Sequence, residues 1–177
     1  MIRKSATSGK MLFIIRHGKA LAEGKTDFER PLSSRASLDL AKTCKHLATW
    51  GAPDFVLCSP SLRTVQTYQT LCKLLLFSCP ELASPTSLYH ASVDTLLNHI
   101  KQLPSQVKLL WIIGHNPGLT DLCNAFLYPS KINHLPTSGI AGFESSQTNW
   151  NVLNFKTFSW IYWNHPKLDR KSTRLNS

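Results

Sequence analysis

Three short apolar runs constrain this chain more than any other feature: LFII (12–15), FVLC (55–58) and VKLLWII (107–113). Each is shorter than an ordinary helix and is made of β-branched or large apolar residues. Each therefore reads as a strand covered on both faces. Segments with helical spacing lie between them. Ser33 or Ser34 can cap a helix carrying Ala36, Leu38, Leu40, Ala41, Cys44, Leu47 and Ala48, which Gly51 and Pro53 stop. Pro60 suits the first turn of a second helix, LRTVQTYQTLCKLL. A weak strand is expected near LASPTSLYH (82–90), and Ser92 caps the helix SVDTLLNHIKQL (92–103). GLTDLCNAFL opens another helix after the third run. IAGFES (140–145) and WNVLNFKTFSW (150–160) alternate like antiparallel strands. This order predicts an α/β fold: a three-layer αβα sandwich around a mostly parallel sheet of about six strands, one of them antiparallel, with helices on both faces.

In such sheets ligands bind beyond the carboxyl ends of the strands. The residues following the three runs are Arg16-His17-Gly18, Ser59-Pro60-Ser61-Leu62-Arg63 and Gly114-His115-Asn116. Parallel strands gather them at one edge, where two arginines and two histidines share a crevice with no acid among them. Such a cluster repels itself unless an anion occupies it. A phosphoryl group fits, because guanidinium forks match its oxygens in pairs and helix amino termini favour negative charge. A neutral imidazole is also a competent nucleophile toward phosphorus. His17 stands between Arg16, which favours its neutral form, and Gly18, which allows close approach of a substrate. Zinc is the competing use of histidine, but neither H-x-x-x-H nor a cysteine pair is present. No metal site is expected.

Composition narrows the function classes. The 177 residues suit one domain, and 42% apolar content excludes general disorder. No apolar run approaches the length of a membrane span, so no membrane partner is expected. The formal net charge of +10 invites a nucleic-acid reading. However, Arg3, Lys4 and Lys10 lie in the first ten residues, and Arg170, Lys171 and Arg174 in the last eight, both stretches without acids. Setting those six aside leaves 14 basic against 10 acidic residues, or +4. With no RNA-binding aromatic motif, a specific nucleic-acid module is disfavoured. Residues 1–10 read as a flexible basic segment, 11–169 as a single catalytic domain, and 170–177 as a disordered tail of non-native character. Met11 is an alternative start. The five cysteines are odd in number and lack a C-x-x-C pair, which points to a reducing, cytoplasmic setting.

IIRHGKA, SPSLRTVQT and IIGHNPGL, in this order and spacing, resemble the histidine phosphatase superfamily, whose fold is also called phosphoglycerate-mutase-like. RPLSSRA (30–36), LYHAS (88–92), LPTSGIAGFE (135–144) and HPKL (165–168) are similar to its SixA-type phosphohistidine phosphatase branch. The resemblance spans about Met11 to Leu168. It implies that His17 is the phosphorylated nucleophile, held by Arg16, and that Arg63 and His115 complete the phosphate pocket. It implies no metal and no organic cofactor. It adds Arg30 as a further pocket residue, Thr137 and Ser138 at the mouth, and an antiparallel strand at 140–145.

Expelling an alkoxide needs a general acid. Mutase-type members of the superfamily carry a glutamate before the second histidine, and acid-phosphatase types carry an aspartate directly after it; here that residue is Asn116. The middle segment offers Glu81, His90 and Asp94, of which His90 is best placed, while Asp94 has a capping explanation. Imidazole leaves far more easily than an alcohol. A missing acid therefore favours a phosphoramidate substrate, with phosphohistidine on a protein the leading case. A small phosphate monoester is the alternative, followed by a basic nucleic-acid module and a scaffold that has lost turnover.

Overall fold

The computed structural model describes residues 9–78, 80 and 82–168. Glu81 and the expected tail 170–177 lie outside the described residues. The elements run β1 (Lys10–Arg16), α1 (Arg35–Cys44), β2 (Phe55–Cys58), α2 (Leu62–Leu75), β3 (Leu82–Ala83), α3 (Val93–Lys101), β4 (Leu109–Gly114), α4 (Gly118–Leu127), β5 (Ile140–Ser145) and β6 (Phe158–Asn164). One six-stranded sheet has the order β3-β2-β4-β1-β5-β6. β3, β2, β4 and β1 pair in parallel, while β5 runs antiparallel to both β1 and β6. The expected α/β architecture is thus present.

The unbroken apolar strands are explained by two cores. Leu12 and Ile14 of β1, with Leu110 and Ile112 of β4, pack under α3 and α4. Phe13 and Ile15, with Trp111 and Ile113, pack under α1 and α2. Residues 12–15 are all fully buried. Burial of side chains of this size stabilises by roughly 1.5–3 kcal/mol each. Among the described residues no helix is long and apolar enough to cross a membrane.

Several boundaries differ from those expected. Lys10 belongs to β1 rather than to a flexible leader: it is buried, and its Nζ donates to the carbonyls of Ser105 (2.6 Å) and Val107 (2.7 Å). α1 stops at Cys44, and Leu47 and Ala48 lie in a separate 3₁₀ turn, 47–50. α2 covers LRTVQTYQTLCKLL as expected, but Pro60 stands before its first turn rather than in it, because Ser61 is extended and Leu62 N donates to Phe28 O (3.0 Å). The weak strand shrinks to Leu82–Ala83, followed by a 3₁₀ turn at Thr86–Leu88. The last strand takes in only the end of WNVLNFKTFSW (150–160), starting at Phe158 and running on to Asn164. Trp150 is buried and tied by Nε1 to Val107 O (2.8 Å), and a 3₁₀ turn at Phe155–Thr157, capped by Asn154, precedes β6.

Candidate active site

Register decides which residues meet. Arg16 lies opposite Gly114 in the β1–β4 pair, and Cys58 opposite Ile113 in the β2–β4 pair. His17, His115 and Ser59, one residue further on, therefore emerge side by side. β5 runs the other way, so the segment entering it reaches the same edge. Arg16 N donates to Gly139 O (3.0 Å), and Ser138 N to His17 O (3.0 Å). Beyond these strand ends lies a crevice of about 330 Å³, lined by Arg16, His17, Arg63, His115, Asn116 and Thr137, with Lys19, Asp27, Arg30 and His90 toward its rim.

The rings of His17 and His115 are 5.1 Å apart. His17 Nδ1 lies 2.7 Å from Gly18 O, and a carbonyl only accepts, so the proton sits on Nδ1 and Nε2 carries the free lone pair. Burial, more than the nearby guanidiniums of Arg63, Arg16 and Arg30, lowers the His17 pKa to about 4. His115 is buried and bonds through Nε2 to Ser59 Oγ (2.8 Å). Arg63 Nη2 approaches its Nδ1 at 3.4 Å, which leaves Nε2 as the protonated nitrogen. Burial, with repulsion from His17 and Arg63, brings the His115 pKa to about 3.

Arg63 stands in the first turn of α2 and is almost fully buried. One turn on, Thr67 Oγ1 donates to Arg63 O (2.7 Å) and accepts from Gly18 N (3.0 Å), joining the helix to the chain just after His17. Arg16 donates through Nη1 to Leu135 O (2.8 Å), and its Nε is a buried donor without a partner among the described residues. Asn116 Nδ2 donates to the same carbonyl (3.0 Å).

The expectation of a crevice without acids does not hold. Asp27 Oδ2 accepts from Arg63 Nη2 (2.8 Å) and from the Tyr89 hydroxyl (2.7 Å), and its Oδ1 accepts from Arg30 Nη1 (3.0 Å). The Asp27 carbonyl accepts from Arg63 Nη1 as well. The Tyr89 hydroxyl foremost, with Arg63, Arg30 and His90, holds the Asp27 carboxyl well below the usual carboxylate range. Nothing in the pattern of apolar runs marks Asp27. Its one local signal is the i,i+3 spacing to Arg30. The loop reaches the site because Leu62 N fixes Phe28 O, while the Phe28 and Tyr89 rings meet at 5.0 Å.

Of the expected site residues, Arg16, His17, Arg63, His115, Arg30, His90 and Thr137 come together. His90 is exposed, its ring 4.7 Å from that of His115 and its Nε2 3.4 Å from Asp27 Oδ2. It follows the 3₁₀ turn rather than a strand and sits at φ 50°, a left-handed backbone that costs roughly 1–2 kcal/mol. Ser138 is not at the mouth: it is buried behind His17, with its hydroxyl unpartnered among the described residues. Gly18 serves packing rather than substrate access, since a Cβ there would lie 2.9 Å from Ala36 Cβ and 3.2 Å from Leu32 Cδ2. Asp94 lies in the first turn of α3. Cys58, at a strand end, is no nucleophile, because burial pushes its thiol up to about 12. No group of three or more His, Cys, Asp or Glu able to hold a metal ion occurs among the described residues.

No protein-family model and no curated protein matches the sequence. Solved structures do match the fold. The protein histidine phosphatase SixA complexed with tungstate aligns over 89% of this chain and 98% of its own, with TM-score 0.72 and 21% identity. A candidate phosphohistidine phosphatase SixA from Agrobacterium tumefaciens aligns over 89% and 98%, with TM-score 0.71 and 23% identity. A mycobacterial glucosyl-3-phosphoglycerate phosphatase aligns over 89% and 99%, with TM-score 0.63 and 10% identity. The chain therefore has the fold shared by SixA and other structures of the histidine phosphatase superfamily.

Proposed function

We propose that this chain is a SixA-type member of the histidine phosphatase superfamily, which removes a phosphoryl group through a phosphohistidine intermediate at His17. The observation that carries the reading is the pair of imidazoles 5.1 Å apart beside a buried Arg63 that already holds a carboxylate. The Arg63 guanidinium already pairs with one anionic group, the Asp27 carboxylate, which supports its use for phosphoryl oxygens. The unsatisfied Arg16 Nε supports the same reading, because an arriving oxyanion would relieve a buried donor. Tungstate, bound by the SixA relative, is likewise a tetrahedral oxyanion.

In the first step the lone pair of His17 Nε2 attacks phosphorus. The Nε2–P bond forms as the bond to the leaving nitrogen breaks, and that nitrogen takes a proton from the water-exposed rim. The Nδ1–H bond to Gly18 O steadies the ring as it gains positive charge. Arg63 and Arg16 stabilise the equatorial oxygens. His115 joins them when its Nδ1 takes up a proton, which the negative charge of the bound phosphoryl group favours. Water then attacks phosphorus, the Nε2–P bond breaks, phosphate departs, and the proton of the attacking water passes to solvent or to a rim base. No metal or organic cofactor enters these steps.

The substrate class follows from the acids at hand. Asp27 is held ionised, so it cannot donate a proton near neutrality. That leaves His90 as the rim donor, exposed and suited to a leaving group that needs little help. We therefore assign protein phosphohistidine as substrate. Phosphate-ester hydrolysis is the second reading, which the nearness of His90 to His115 favours. A panel of a phosphohistidine peptide and common phosphate esters, assayed by phosphate release, tests the assignment. Turnover of the peptide well above every ester is expected, and the reverse order would overturn it.

A further inference from the structure

A second hollow, of about 760 Å³, opens beside the crevice and shares Lys19 and Thr137 with it. Its remaining sides come from Arg35 and Asp39 of α1, the segment 132–137, and Trp163 to Lys167 at the end of β6. Arg35 Nε reaches Asp39 Oδ2 at 3.4 Å, leaving one of the three fixed cations partly matched. Lys19 and Lys167 form no ion pair among the described residues. Burial, followed by Lys167 and His134, lowers the His165 pKa, so the fixed charge of the hollow comes from its lysines and arginine. Trp163 adds a half-buried aromatic surface, its ring 5.9 Å from that of His165.

The phosphoryl chemistry proposed above uses none of Arg35, Trp163 or Lys167. The shared Lys19 and Thr137 put this hollow next to the crevice that holds His17, and it is more than twice the crevice's volume. A free phosphorylated amino acid would leave it empty. We infer that the hollow is a docking subsite for an acidic peptide segment flanking the phosphorylated histidine, with an apolar side chain of that segment against Trp163. This inference rests on the phosphohistidine reading for the identity of the substrate. The charge argument is its own: three cations and one carboxylate favour a partner of opposite sign.

The test reads binding apart from turnover. Two unphosphorylated fluorescent peptides of equal length, each with a central histidine and one phenylalanine, carry either Glu or Lys at the flanking positions. The full chain is expected to bind the acidic peptide at least about tenfold more tightly at moderate salt. The R35E/K167E double variant should lose or invert that preference and still hydrolyse free phosphohistidine within about twofold of the parent rate. The milder Lys167→Gln, at an exposed position, should weaken acidic-peptide binding and leave the basic peptide unaffected. Equal binding of both peptides by the parent, an unchanged preference in the double variant, or tighter binding of a single-stranded oligonucleotide of matched charge would overturn the subsite. A chain that prefers the acidic peptide but hydrolyses no phosphohistidine would instead overturn the enzymatic reading.

Discussion

His17, Arg63 and His115 at the floor of the crevice are held from within the sheet edge, by Gly18 O, Thr67 and Ser59. Asp27, Tyr89 and His90 at the rim hang on two loops and bond chiefly to one another and to Arg63. The floor is buried at Arg63 and His115, half-buried at His17, and anchored by strand register, whereas the rim lies near solvent, where water screens and competes. Preorganised donors in a desolvated floor act directly on developing charge. Rim groups tune access, proton delivery and competition. Substitutions in the two regions should therefore separate by size of effect.

The largest effect belongs to His17→Ala, which removes the nucleophile. Turnover should fall by at least about a thousandfold in a phosphate-release assay. Ordinary activity in this variant would contradict the mechanism. Arg63→Ala should follow, losing roughly 3–4 kcal/mol of transition-state stabilisation, read as a drop in kcat of about 10²–10³. Because Arg63 also carries the Asp27 loop, its denaturation midpoint should be measured alongside.

A pH series probes the burial of the floor. In the unfolded chain both imidazoles titrate near 6.5. In the folded chain His17 titrates near 4 and His115 near 3. Between these limits the unfolded state binds more protons, so this contribution is complete above about pH 6.5 and declines as pH falls toward 4. Denaturation midpoints at pH 7.5 and 5 should show the decline, and H17Q should flatten it.

Rim changes should be smaller. His90→Gln should impair ester hydrolysis more than phosphoramidate hydrolysis, and equal loss on both would count against its part in proton delivery. Asp27→Asn should raise the affinity for inorganic phosphate by a few-fold, because an anion no longer competes for Arg63. Weaker phosphate binding in that variant would show that Asp27 orients Arg63 rather than competes for it.

The same division explains what the sequence made legible. The floor was readable because strand ends are marked by apolar runs stopping at polar residues, and parallel pairing brings those ends together. Arg16, His17, Arg63 and His115 needed no further information. The rim is readable only in part: the search for an acid picks out His90 and the family resemblance adds Arg30, but loop residues carry no periodic signal, so Asp27 and Tyr89 go unmarked. Asp27 is one exposed acid among several, and its meeting with Arg63 rests on tertiary contacts such as Leu62 N to Phe28 O and the Phe28–Tyr89 ring pair. Gly18 was misread for a related reason: its neighbours Leu32 and Ala36 arrive from the following loop and helix, which local sequence does not reveal. The cause of the His17 shift was also only half visible, since adjacent arginines can be read from a sequence but burial, the larger cause, needs the packed fold.

The most direct test of the central claim is to quench the enzyme during turnover of a phosphohistidine peptide and to locate the trapped phosphoryl group by mass spectrometry under alkaline conditions, where phosphohistidine survives. The mechanism predicts phosphate on His17, attached through Nε2 and absent from the His17→Ala protein. Phosphate on His115 or another residue, or rapid turnover with no phosphorylated enzyme at any quench time, would contradict it.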